Sequence, residues 1–218
     1  MNAYIQKLIL QGEHQKQDFK FQVNDSRKIA RTLSAFANTN GGKLLIGVKD
    51  NGVVAGVRSD EEFYMIEAAA QMYCKPTIDF AHRAWNVDGK TVLEIDIPEL
   101  EKKPCFAENE PDKWMAYIRV RDQNILATTL QLKLWKRKNS NNGTFIRYSE
   151  KEKLLLQYLE EHPFITIGKF CKLASIPRYL AENLIVNLLI TDIIEMGQTE
   201  KMSWFRLKDP DDGGQWDQ

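Results

Sequence analysis

From Arg27 onward, Ile29, Ala30, Leu33, Phe36 and Ala37 recur at the three- and four-residue spacing that lines one face of a helix. Asn24, Asp25 and Ser26 precede this run and offer N-cap acceptors, and Gly41-Gly42 follows it with the left-handed backbone that ends many helices. Tyr4 to Leu10 predicts a shorter helix upstream, while Asp18-Phe-Lys-Phe-Gln-Val23 alternates polar with apolar as a half-buried strand does. Lys43 to Val48 reads as a strand. Asp50-Asn-Gly52 then signals a hairpin turn, because Asn-Gly tolerates positive φ, and predicts that Val53 to Val57 pairs back on that strand. Ser59 with Glu62 has the spacing of a capping box for a helix reaching about Cys74. Asp88-Gly89 joins two further strands, Ile78–Val87 and Thr91–Ile97; Tyr117 to Val120 is read as the last strand, and Thr128 caps a helix through Trp135. The fold class expected is α+β, with a mixed sheet packed with helices.

The polar run Lys136-Arg-Lys-Asn-Ser-Asn-Asn-Gly-Thr144 interrupts this pattern and marks a linker. The expected division is a first domain at 1–138, a linker at 139–146, a second domain at 147–208 and an acidic tail at 209–218. In the second domain Ser149 with Glu152 caps a helix carrying Leu154, Leu155, Tyr158 and Leu159. Phe164-Ile-Thr166 is short and extended, and Ile167 to Leu173 forms a second helix. Pro177 opens a third, with Leu180, Leu184, Ile185, Leu188 and Leu189 directed inward. Ile193–Met196 and Trp204–Leu207 close the domain as a hairpin. This order resembles a small winged helix-turn-helix domain.

Composition narrows the function classes. The 218 residues are 43% hydrophobic and 28% charged, with 30 Lys+Arg against 30 Asp+Glu, which excludes a disordered chain and a purely electrostatic DNA binder. Residues 1–138 carry 21 Lys+Arg against 18 Asp+Glu, and 139–218 carry 9 against 12, so the zero total hides a mild asymmetry. Cys74, Cys105 and Cys171 are far apart with no CxxC pair, which argues against zinc and suits a reducing cytoplasm. No signal peptide and no run of roughly 18 apolar residues is present, so no membrane association is expected.

Four segments together resemble one family: Asp18-Phe-Lys20, Ser34-Ala-Phe-Ala-Asn-Thr-Asn-Gly-Gly42, Leu45-Ile-Gly-Val-Lys-Asp-Asn-Gly52 and Val54-Ala-Gly56. They are similar to the Schlafen AlbA_2 domain, also called divergent AAA-4, whose pattern runs E-F-K, S-A-F-A-N-T-x-G-G and G-V-D-D-x-G. Lys103-Pro-Cys105 and Tyr117-Ile-Arg-Val-Arg121 resemble its later segment. Asp18 departs from the usual Glu, and Asp122 stands where Gly is common. The resemblance implies a compact nucleic-acid-binding module, which in bacterial members is joined to a winged helix and described as a transcriptional regulator. In vertebrate members two such lobes clamp RNA, and three carboxylates support a metal-dependent nuclease. By motif position those carboxylates correspond to Glu13, Asp18 and Asp50.

Three carboxylates could hold Mg²⁺ or Mn²⁺ and activate water at a phosphodiester. Each also has a plainer reading: Asp50 beside Asn-Gly is a turn residue, Glu13 a solvated charge, and Asp18 is shorter than the usual ligand. ATP is not expected. A P-loop needs Gly five positions before Gly42, where Ala37 stands, and Leu44 follows Lys43 in place of Ser or Thr. The candidate nucleic-acid contacts are Lys20, Arg119 and Arg121 in the first domain. In the third helix of the second domain they are Arg178, Tyr179 and Asn183, with Glu182 and Asn187 on the same outward face. The expected function is a DNA-binding transcriptional regulator, homodimeric on two-fold sites, with DNA favoured over RNA. The alternatives are a metal-dependent endoribonuclease and a non-enzymatic protein-interaction scaffold.

Overall fold

The computed structural model describes residues 3–140 and 148–209. Most of the expected linker and residues 210–218 of the expected tail lie outside them. The chain separates into two compact units, Met1–Ala127 and Thr128–Gln218. That division falls before the expected linker, so the helix capped by Thr128 goes with the second unit.

The first unit runs α1 (Ala3–Gln11), β1 (Gln17–Lys20), α2 (Ser26–Ala37), β2 (Gly42–Ile46), α3 (Glu61–Met72), β3 (Cys74–Lys75), β4 (Ala81–Val87), β5 (Lys90–Ile97), β6 (Phe106–Glu110), β7 (Lys113–Val120) and β8 (Gln123–Leu126). One sheet has the order β1-β2-β5-β4, and the other β3-β6-β7-β8. β1 lies parallel to β2 and the remaining pairs are antiparallel, so the unit is α+β with a mixed sheet. The two-residue period of β2 decides the layering: Leu44 and Ile46 enter one core with α2 and α3, while Leu45 enters the other beneath α1. Asp25 caps α2 as expected, accepting from the N–H groups of Arg27 and Lys28. Ile29, Ala30, Leu33, Phe36 and Ala37 are all buried, each large side chain contributing about 1.5–3 kcal/mol.

Three readings are corrected here. Val53 to Val57 forms no strand beyond a bridge between Val48 and Val54, because both edges of β2 are already taken by β1 and β5. Ser59 does not cap α3; the N-cap is Asp60, and Glu62 accepts instead from the N–H groups of Arg58 and Val23. Tyr117–Val120 is not the last strand, since the chain turns at Arg121, whose φ is 56°, and returns as β8.

The second unit holds α4 (Thr129–Lys138), α5 (Glu150–Glu161), α6 (Ile167–Ala174), α7 (Arg178–Ile190), β9 (Ile194–Gln198) and β10 (Ser203–Leu207). Thr128 and Ser149 form full capping boxes with Gln131 and Glu152. α6 ends on Ser175 in the left-handed conformation, and α6 and α7 meet at 110°. β9 and β10 pair antiparallel, and Ile165 bridges to Phe205. Leu130 and Leu134 of α4 share one core with Leu155, Phe170, Ile185 and Phe205. Leu180, expected inward, is 39% exposed, because Ala181, Ile185 and Leu188 make the buried stripe of α7. No single helix among the described residues is long and apolar enough to cross a membrane.

Candidate nucleic-acid interface

The Ser-Ala-Phe-Ala-Asn-Thr run is a set of structural connectors. The buried Asn38 amide donates to the carbonyls of Cys105 (2.8 Å) and Tyr117 (2.9 Å), and its oxygen accepts from the Cys105 N–H (2.7 Å). Ser34 donates to the Cys105 carbonyl and accepts from the Tyr117 N–H, while Thr39 accepts from the Arg119 N–H. Helix α2 ends here because these side chains tie it to β7, and Gly41 turns the chain at φ 65° where an added Cβ would meet the Ile97 carbonyl at 2.7 Å. These groups are satisfied within the fold.

Glu13, ahead of β1, and Asp18, within it, come together. Glu13 Oε1 accepts from the Phe19 N–H at 2.9 Å. Burial first, and then its hydrogen bond with Asp18, push the Glu13 carboxyl up to about 7. Burial works to raise Asp18 too, but the bond from Glu13 and the charges of Lys20 and Arg119 outweigh it and hold Asp18 below the usual carboxylate range. Arg119 Nη2 lies 3.1 Å from Asp18 Oδ1, and Lys20 Nζ lies 2.6 Å from Oδ2. The Lys20 ammonium also donates to the Phe19 carbonyl at 2.7 Å. His14, beside the cluster, is lowered by burial and then by the Arg119 charge.

This donor set does not fit Mg²⁺ or Mn²⁺. Both Asp18 oxygens already face cations, and Glu13 holds its proton to about 7. Asp50 sits exposed in the turn after β2. Among the described residues no three His, Cys, Asp or Glu side chains gather to hold a metal ion. The carboxylate trio therefore reduces to a Glu13–Asp18 pair anchored by Arg119.

The expected phosphate contacts separate in the same way. Arg119 is corrected: it is 2% exposed, and its guanidinium donates to the Gln17 carbonyl, Asp18 and Asn124 while lying 5.1 Å over the Phe36 ring. It organises the interior and cannot meet a phosphate. Lys20 is about one-third exposed and engaged with Asp18; Arg121 is exposed at the β7–β8 turn. On α7, Arg178, Tyr179 and Asn183 are exposed, Tyr179 at 60%, whereas Asn187 is half-buried. Glu182, expected outward, is corrected: it is buried, accepting from Lys133 of α4 (2.7 Å), Arg178 (3.0 Å) and Thr129 (3.3 Å).

One surface cluster was not foreseen. Phe21, immediately after β1, is 36% exposed, with Lys49 Nζ and Arg58 Cζ each 5.4 Å from its ring centroid. In the sequence Lys49 and Arg58 are ordinary solvated charges. The only available signal was an aromatic at the end of the strand, which the alternating pattern assigned to a buried face.

Residues 13–128, more than half of the chain, match the family described as Schlafen, AlbA_2. No curated protein matches the chain. Among solved structures, the DIP2311 protein from Corynebacterium diphtheriae is similar over 59% of this chain and 25% of its own, at 21% identity and a TM-score of 0.43. The N-terminal domain of an ATP-dependent DNA helicase RecG-related protein from Nitrosomonas europaea is similar over 69% of this chain and 98% of its own, at 19% identity and a TM-score of 0.40. This chain thus spans about a quarter of the first of these structures. With its Asp-Phe-Lys strand and its Ser-Ala-Phe-Ala-Asn-Thr helix end both inside the matched region, the chain belongs to the Schlafen AlbA_2 family.

Proposed function

We propose that the protein is a nucleic-acid-binding transcriptional regulator in which α6, α7 and the β9–β10 hairpin act as a winged helix-turn-helix that reads duplex DNA. The observation that carries this reading is the 110° turn between α6 and α7, after which α7 leaves Arg178, Tyr179 and Asn183 exposed on its first turns. Arg178 is 65% exposed and its Nε is held by the buried Glu182, so the guanidinium is oriented before any ligand arrives. Arg and Asn at such positions can make bidentate contacts to base edges. The charge of the unit supports the reading as well. α4 contributes Lys133, Lys136, Arg137 and Lys138 and no acid, which turns the 9 Lys+Arg against 12 Asp+Glu of residues 139–218 into 13 against 12 for 128–218. Arg121 and Lys20 are candidate phosphate contacts of the first unit on its own. A second copy would occupy the other half-site of a two-fold operator, and the three free cysteines suit a reducing cytoplasm.

The test is a titration of labelled duplex DNA and of structured RNA, each with EDTA and with Mn²⁺. The regulator reading expects intact duplex to shift in both buffers, the affinity to fall steeply with salt, and Arg178→Ala to weaken it about tenfold. Absence of duplex binding at low ionic strength sinks it. Mn²⁺-dependent shortening of RNA, lost in Asp50→Ala, would put the nuclease in its place, and neither behaviour would leave the scaffold.

A further inference from the structure

We propose that Phe21, Lys49 and Arg58 form a stacking site for one base of a single-stranded nucleic acid, with the two cations taking the flanking phosphates. The inference rests on the nucleic-acid reading above but not on the second unit.

Three segments are locked together to build it. Gly47, at φ 89°, donates its N–H to the Lys20 carbonyl at 2.8 Å, and its own carbonyl accepts from the N–H groups of Ala55 and Gly56. The crossing is so close that an added Cβ on Gly47 would lie 2.8 Å from the Gly56 carbonyl carbon. The buried Glu62 carboxylate then accepts from the Val23 N–H at 2.9 Å through one oxygen and from the Arg58 N–H at 2.8 Å through the other. These bonds fix the backbone behind Phe21 and Arg58 side by side, and the Lys49–Val53 turn, closed at 3.0 Å, brings Lys49 to the same ring.

The cluster has no evident duty in the fold. Phe21 is outside the buried cores and is 36% exposed. Elsewhere in this unit Lys28, Lys43, Lys103 and Lys113 lie against carboxylates. Among the described residues neither Lys49 nor Arg58 has an acidic partner within ion-pair distance; both lie over the Phe21 ring, and they must turn from it to the flanking phosphates when a base takes its face. A wet aromatic ring flanked by two cations without counter-charges matches a ligand that is planar and anionic at once, as a nucleotide within a strand is. A duplex keeps its bases paired and cannot offer one to the ring, so the site selects single strands.

The experiment is fluorescence anisotropy of the full chain with labelled oligothymidine, with an abasic strand of the same length, and with duplex DNA. Phe21→Leu keeps the apolar volume and removes the π face. It should weaken oligothymidine binding about tenfold while leaving the abasic strand unchanged, the size expected for one base–aromatic stack. Arg58→Met, whose backbone N–H still reaches Glu62, should lower the salt slope on both strands by about 0.7. Duplex binding and its sensitivity to Arg178→Ala should be untouched by either change. Oligothymidine binding that is equal in wild type and Phe21→Leu overturns the proposal, as does a loss shared with the abasic strand or no single-strand binding by the wild type. Failure of duplex binding alone would remove the regulator reading and leave this site standing.

Discussion

Glu13 shows how far burial, with one neighbour's help, changes a side chain's chemistry. A glutamate in an unfolded chain releases its proton near 4.5, whereas in the folded protein burial and the hydrogen bond to Asp18 keep it until about 7. Between those values the folded state binds a proton that the unfolded state does not. The contribution is therefore complete below about 4.5 and is lost as pH rises through 7. Glu13→Gln should remove this dependence, since the amide oxygen still accepts from Phe19 and the amide nitrogen donates to Asp18 at every pH. In thermal melts the variant should match wild type at pH 4.5 and exceed it by about 2–4 °C at pH 8.5, a modest size because Glu13 is partly solvated. Equal offsets at both pH values would mean that no proton is shared. Asp18 titrates in the opposite sense: held ionised by Glu13, Lys20 and Arg119, it supports the fold until pH falls below the usual carboxylate range.

At the scale of elements, the decisive contact of α7 is with α4, and it runs through Glu182. That carboxylate is 4% exposed and accepts from Lys133, Arg178 and Thr129; burial works to raise it, and the bonds from Lys133 and Arg178 win and hold it low. Glu182→Ala strands the donors on α4 and should lower the urea-unfolding free energy of the second unit by about 1–3 kcal/mol, whereas Asn183→Ala, one residue on and exposed, should change it by less than about 0.5 kcal/mol. Similar losses in the two would remove the clamp. Glu182 also marks the limit of what periodicity can reveal. The caps at Asp25, Thr128 and Ser149 were legible because each is a local bond between neighbours in sequence. The burial of Glu182 depends on a helix some 50 residues away, and a polar residue on a helix reads as outward until its partner is known. The same holds for Arg119, whose partners His14, Gln17 and Asp18 lie about 100 positions upstream. The Asp50-Asn-Gly52 turn was legible, but not that β1 and β5 had already taken both edges of β2. In the candidate site, the family resemblance pointed to Glu13, Asp18 and Asp50 as a trio, of which only Glu13 and Asp18 meet, and periodicity put Glu182 on the outward face with Arg178, Tyr179 and Asn183, of which only the last three are exposed. Neither could find Phe21 with Lys49 and Arg58, which three separate turns bring together.

For the whole molecule, the boundary between the units decides which charges travel together. A polar run such as Lys136 to Thr144 looks like a natural linker, yet Leu130 and Leu134 of α4 are buried with Leu155 and Ile185, so the helix before that run belongs to the second unit. The physical reason is that a linker is marked by composition, whereas a unit is marked by which apolar faces meet. The consequence can be measured with fragments. Residues 128–209 should fold cooperatively, while 139–209, stripped of two buried leucines and of the partner of Glu182, should lose most of its stability, since each buried leucine truncated in a core costs about 2–5 kcal/mol. Residues 1–127 should melt with 1–138, because α4 adds nothing to the first core. Circular dichroism melts of the four fragments check this. A folded 139–209 together with a 1–138 fragment more stable than 1–127 would return α4 to the first unit, and with it the four positive charges that bring the second unit to near neutrality and on which the proposed approach to a phosphate backbone depends.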